Sequence, residues 1–162
     1  MSIAFLTIGL ILSGPDPEWL SERTDHFELV YHERVRDLAD LIRPRLEPEL
    51  SRICGFIGTT PPPEIRLVIA PDPKSFSDLQ GGGVPRWVAG MAYPGRSLIV
   101  VRPLLGSEVR HSAFDSVVSH EISHLALHRR LRGRTPPAWL DEGLAVYMGR
   151  EPLLARSERL LP

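Results

Sequence analysis

One cysteine, Cys54, stands among 162 residues, which excludes an intrachain disulfide and a multi-cysteine zinc finger. Its neighbours Ile53, Gly55 and Phe56 mark it as a small buried hydrophobe near a helix end. Excess charge is also missing. Nineteen Lys and Arg against twenty Asp and Glu leave a net charge of -1, so no general attraction to nucleic acid or anionic lipid is expected. The longest apolar run, Ile3 to Leu12, is shorter than the roughly 20 residues a membrane-spanning helix needs. No repeat or low-complexity tract is present, and the sixteen prolines are scattered rather than gathered into a linker. Gly81-Gly82-Gly83 is not followed by Lys and then Ser or Thr, so it is no phosphate cradle.

What remains is ordinary for a folded domain: 43% hydrophobic and 24% charged residues, in a chain long enough for one core. Residues 1–14 form an apolar segment that ends in Ser13-Gly14 and Pro15-Asp16-Pro17. This resembles the apolar region and cleavage zone of a secretory signal, although the basic leader is absent. The expectation is an exported or membrane-associated protein of the cell envelope rather than a cytoplasmic one, with a first core strand as the alternative for this segment. The domain proper is expected over 25–150, with 151–162 as a C-terminal tail.

Phe27, Leu29 and Tyr31 alternate with Glu28 and Val30, the period of a half-buried strand, and read as the first strand of the domain. From Glu33 the apolar residues Val35, Leu38, Ala39, Ile42, Leu46, Leu50 and Ile53 recur every three or four positions, the stripe of an amphipathic helix. Pro44 and Pro48 are expected to kink or split it, and Gly55 and Gly58 to end it. Ile65 to Ala70 reads as a core strand, and Pro71 to Gly83 as a mobile surface loop. Ala89 to Tyr93 and Ser97 to Val101 read as two strands about a Pro94-Gly95 turn. Strands preceding helices make the expected class α+β.

The chemistry sits in HEISH, residues 120–124, inside the apolar helical pattern of Phe114, Val117, Val118, Ile122 and Leu125. Residues four apart share a helix face, so the His120 and His124 imidazoles can converge on one metal ion. Glu121 stands beside them, within reach of a water that such an ion would activate. About one random ordering in a hundred of these residues would contain HExxH, so the surroundings matter.

A zinc site needs a third protein ligand and an open position. His128 lies two helical turns past His120, on the order of 12 Å along the axis, too far to share one ion. His111 fails similarly if its stretch is helical. Carboxylates remain. Glu142 follows His124 after seventeen residues, beyond the Pro136-Pro137 break and on a second helix beginning near Trp139. If that helix packs back with Leu140, Leu144 and Tyr147 towards the core, Glu142 can face the metal. Asp141 is the rival, pointing about 100° away around the helix and better suited to capping or to holding a ligand imidazole.

Four stretches together resemble the peptidase MA-like domains of the gluzincin group. They are DHFELVYHE (25–33), AGMAYPGRSLIVV (89–101), VVSHEISHLAL (117–127) and PPAWLDEGLAVY (136–147). The resemblance covers roughly Asp25 to Gly149. It implies a zincin-like α+β domain with a mixed sheet packed on the HExxH helix and the third ligand on the next helix. It also implies one Zn2+ per chain on His120, His124 and Glu142, with Glu121 as general base and proton carrier in peptide-bond hydrolysis. A peptide or protein substrate would add to an edge strand, Ala89 to Tyr93 or Ser97 to Val101.

The chain departs from that pattern in two ways. Larger gluzincins wall the cleft with a C-terminal subdomain that often donates a Tyr or His to the oxyanion, whereas twenty residues follow Glu142 here. Tyr147, Tyr93 and His111 are the polar candidates for that role, with packing the simpler reading of both tyrosines. Val146 stands where an acidic orienter is expected, so Asp141 or Asp115 would have to substitute. These departures keep two alternatives open: a non-catalytic zinc-binding interaction domain of the envelope, and a fragment of a larger peptidase.

Overall fold

The computed structural model describes residues 18–103 and 111–149, the side chains of 111–113 excepted. The apolar segment 1–14, the tail 151–162 and the His111 side chain lie outside the described residues. No helix among the described residues is long and apolar enough to cross a membrane.

The fold is α+β, with a five-stranded mixed sheet and four α-helices among the described residues. Strands β1 (Trp19–Arg23), β2 (Phe27–His32), β3 (Ile65–Ile69), β4 (Gly90–Tyr93) and β5 (Leu98–Val101) lie in the order β1-β2-β3-β5-β4. β2, β3 and β5 run parallel, with Leu29 opposite Leu67 and Leu67 opposite Ile99. β1 and β4 close the two edges antiparallel. The strand at Phe27 is therefore the second, not the first. β1 escapes the sequence pattern because WLSER is exposed or half-buried throughout and carries no apolar alternation.

The parallel centre is covered on both faces, as such sheets must be. Phe27, Leu29, Tyr31, Ile65, Leu67, Ile69, Ile99 and Val101 point to one core, Val30, Val68, Leu98 and Val100 to the other. A fully buried side chain of this size contributes about 1.5–3 kcal/mol, so both faces of the parallel centre hold it in the core.

Helix α1 (Arg36–Ile57), entered through a 3₁₀ turn at Glu33–Val35, lays Ala39, Ile42, Leu46, Leu50, Ile53 and Cys54 on the first core. It runs unbroken through Pro44 and Pro48, contrary to the expected split. Both prolines are exposed and one turn apart, so the carbonyls they deprive of a partner, Asp40 and Pro44, lie on the wet face where water satisfies them. Gly58 ends the helix in the left-handed region, φ 72°.

A second correction concerns the stretch from Pro71 to Gly83. It is not merely a loop, since Pro73–Leu79 forms α2. Asp72 accepts the Ser75 N–H at 2.8 Å as its N-cap, Pro73 occupies the first turn, and Phe76 and Leu79 bury against the second core. The polar composition that signals a loop is here the signature of a capped helix start.

Helix α3 (His111–Arg130) carries HEISH and buries Phe114, Val118, Ile122, Leu125 and Ala126 on the first core. Its end is basic, with His128, Arg129 and Arg130 in the last turn. Gly133, φ 80°, returns its N–H to the His128 carbonyl at 3.0 Å. Pro137 then starts helix α4 (Ala138–Gly149), its carbonyl accepting the Leu140 and Asp141 N–H groups.

Of the α4 residues expected to face the core, Leu144 packs against it partly buried, but Leu140 and Tyr147 do not. Leu140 is 36% and Tyr147 64% exposed, while Ala145, Val146, Met148 and Gly149 are buried. At Gly149 the helices approach closely: a Cβ there would lie 2.8 Å from the Ser116 carbonyl oxygen of α3. Arg52 of α1 donates to the Met148 carbonyl at 2.9 Å and pairs with Glu49, which accepts the Ser119 hydroxyl at 2.6 Å. One polar chain thus ties α1, α3 and the end of α4 together.

Candidate metal centre

His120 and His124, one turn apart on α3, present their rings at 5.0 Å between centroids and 71° between planes. The packing of α4 brings Glu142 over them. One donor atom from each of His120, His124 and Glu142 lies within 4.8 Å of the others. His120 Nε2 is 3.7 Å from Glu142 Oε2, and His124 Nε2 is 4.0 Å from Glu142 Oε1. Zinc bonds of 2.0–2.2 Å put tetrahedral donors about 3.4 Å apart, so the two histidine–glutamate spacings of 3.7 and 4.0 Å are somewhat wider than what that ion would draw together.

Asp141 lies beside, not in, this group. Its Oδ1 is 2.7 Å from His124 Nδ1, which fixes that nitrogen as the protonated one and leaves Nε2 with its lone pair turned to Glu142. Two imidazole nitrogens and one carboxylate oxygen form a donor set suited to zinc. Asp141 and Glu142 also set two carboxylates beside the two histidines, a charge that a dication offsets.

Glu121 is 6% exposed, lying between α3 and the first residue of β4. A Cβ built on Gly90 would fall 2.6 Å from Glu121 Oε1. Such a contact has a sequence signal, a glycine inside a strand pattern, which marks close approach of backbone to another group.

The remaining candidates have contacts of their own. Tyr147 packs on Phe56 of α1, ring centroids 5.5 Å apart, on the far side of α4 from Glu142. Tyr93 donates to Gln80 Oε1 at 2.8 Å and packs with the second core. Burial raises the Tyr93 phenol's pKa, Arg96 opposes that rise and the charge of Glu121 adds to it. Asp115 pairs with Arg45 of α1, leaving Asp141 as the acid on a ligand imidazole. His128 is at the end of α3, its ring against Gly133. Cys54 is buried, and burial raises its thiol's pKa, away from the reactive thiolate.

Comparisons with protein-family profiles, with curated proteins and with solved structures gave no match.

Proposed function

We propose that the chain is a zinc-dependent metallopeptidase of the gluzincin type, a peptidase MA-like domain with a zincin-like fold. The observation that carries this reading is the meeting of three donors from two helices within 4.8 Å, with a glutamate adjacent in sequence to the first of them. His120, His124 and Glu142 would hold one Zn2+ per chain. When bound, that ion would polarise a peptide carbonyl and lower the pKa of a water. Glu121 would take the water's proton and deliver it to the leaving amine. Asp141 keeps the His124 ring oriented. β4 is the outer strand of the described sheet, next to Glu121, and its backbone would align an extended peptide or protein substrate. The apolar run Ile3 to Leu12 supports an exported or membrane-tethered location.

The first experiment is elemental analysis of the wild type beside His124→Ala and Glu142→Ala. One zinc per chain, lost in both variants, is expected; a reconstituted wild type without zinc would end the reading. Glu121→Gln is expected to keep zinc and to lose about 10²–10⁴-fold in hydrolysis.

The exposed start of α4, with Trp139 75% exposed, supports a second reading, a zinc-binding interaction domain or a piece of a larger peptidase. A Glu121→Gln protein that retains every measurable function would favour the interaction domain.

A further inference from the structure

We propose that Gly90 is a positioning residue: the side chain missing at the start of β4 is the slot that holds the Glu121 carboxylate in place. The inference rests on the peptidase reading for its purpose, and on geometry alone for the slot. A Cβ at Gly90 would stand 2.6 Å from Glu121 Oε1, 2.9 Å from Glu121 Cγ and 2.8 Å from Val117 Cγ1. Real Cβ atoms do not approach so closely. By contrast Gly55, Gly95 and Gly143 have open space where a Cβ would be.

Backbone freedom is not what position 90 requires, because Gly90 is not among the positive-φ glycines. Alanine is conformationally allowed there, and only space forbids it.

Neither wall of the slot yields easily. On the strand side, Gly90 pairs with Val101, and the Arg102 N–H donates to the Ala89 carbonyl at 2.9 Å. The buried Arg102 guanidinium donates to the Val88 carbonyl at 3.0 Å and to that of Arg86. The approach to β4 is thus pinned from inside the protein. On the helix side, Glu121 is 6% exposed, and its neighbour one turn back, Val117, fills the space beside it. The carboxylate therefore rests on bare backbone at the strand edge, the place a general base must occupy to meet both a water and an aligned substrate. A methyl group at position 90 would push it out of line.

The test is a melting and activity series on the full chain: wild type, Gly90→Ala, Glu121→Ala and the double variant, with Val117→Ala combined with Gly90→Ala as a control. Zinc is expected at one per chain in Gly90→Ala, since none of the three ligands is among the atoms nearest position 90. Gly90→Ala is expected to lower Tm by about 5 °C or more, and the double variant with Glu121→Ala to recover at least half of that loss. Should Gly90→Ala fail to fold, the same double variant is expected to restore folding. With a fluorogenic peptide cut by the wild type, Gly90→Ala should lower kcat about a hundredfold with little change in KM. A Tm loss from Gly90→Ala that is equal with and without the Glu121→Ala change would overturn the slot, as would recovery in the Val117→Ala combination with none in the Glu121→Ala one. If the wild type cuts no peptide or casein substrate, the peptidase reading falls and the melting cycle alone decides the slot.

Discussion

Removing the Asp141 carboxylate should weaken zinc binding without removing a ligand. In the structure His124 Nδ1 is 2.7 Å from Asp141 Oδ1, and the same ring turns Nε2 towards Glu142 Oε1, 4.0 Å away. In Asp141→Ala the ring can flip about its second side-chain torsion or expose Nδ1 to water, and the metal must then select one orientation. The lost carboxylate also lowers the basicity of Nε2. Carboxylate partners of this kind contribute 10- to 100-fold in metal affinity, or about 1.4–2.7 kcal/mol. The Asp141 side chain is 33% exposed, so water screens part of its charge, and Asp141→Asn, which keeps an acceptor oxygen, should sit at the low end. Competition against a chromophoric chelator at pH 7 and fixed ionic strength measures the Kd directly. Glu142→Ala should lose more than either Asp141 variant, and Glu121→Gln should bind as wild type. An Asp141→Ala Kd within twofold of wild type would refute the orienting role.

Three further outcomes follow from packing and ionisation. Gly149→Ala would drive a methyl group to 2.8 Å from the Ser116 carbonyl; unfolding in urea with chelator present should show a loss of about 1–3 kcal/mol, and zinc should bind more weakly because α4 carries Glu142. Burial works against the charge of Glu47, but hydrogen bonds from the Thr24 hydroxyl, the His26 N–H and the His26 ring outweigh it and hold its carboxyl below the ordinary 4.5. That stabilisation is present above pH 4.5 and lost as pH falls through the depressed value, so a Glu47→Gln stability curve against pH should be flatter in that window. Burial, followed by the hydrogen bond to Glu22, pushes the Tyr31 phenol from 10 up to about 12. Stability should therefore fall as pH rises from 10 towards 12, and Tyr31→Phe should remove that alkaline loss.

The site was more legible in the sequence than the surface around it. His120 and His124 follow from helical periodicity alone, because a four-residue spacing leaves two imidazoles little choice of face. The central strands were readable from period-two alternation in β2 and from short apolar runs flanked by Pro or Gly in β3 and β5. Where the reading failed, the deciding contact was remote in sequence. Trp19–Arg23 becomes a strand by pairing with β2, not by any pattern of its own. Pro44 and Pro48 are tolerated because of which side of α1 faces water, something a list of breakers does not encode. Leu140 and Tyr147 stay exposed while Ala145 and Met148 are buried and Gly149 lies against the Ser116 carbonyl, because the facing of α4 is set by where it touches α3, and helix separation is invisible in one strand of text. Gly90 left a trace, a glycine in a strand, but what it faces required the fold.

The brevity of β4 has a bearing on selectivity. The strand has four residues, bracketed by Pro85 and Pro94, and so spans about 13 Å. Strand residues alternate in turning their amide groups to one edge or the other, so two of the four can offer theirs outward. If β4 aligns a substrate as proposed, a strand this short would have room for a single brief stretch of extended chain, and it would grip main-chain groups that all sequences share. On the peptidase reading, discrimination between one target and another would then fall to side chains outside the strand and to how long a candidate segment stays unfolded near the protein.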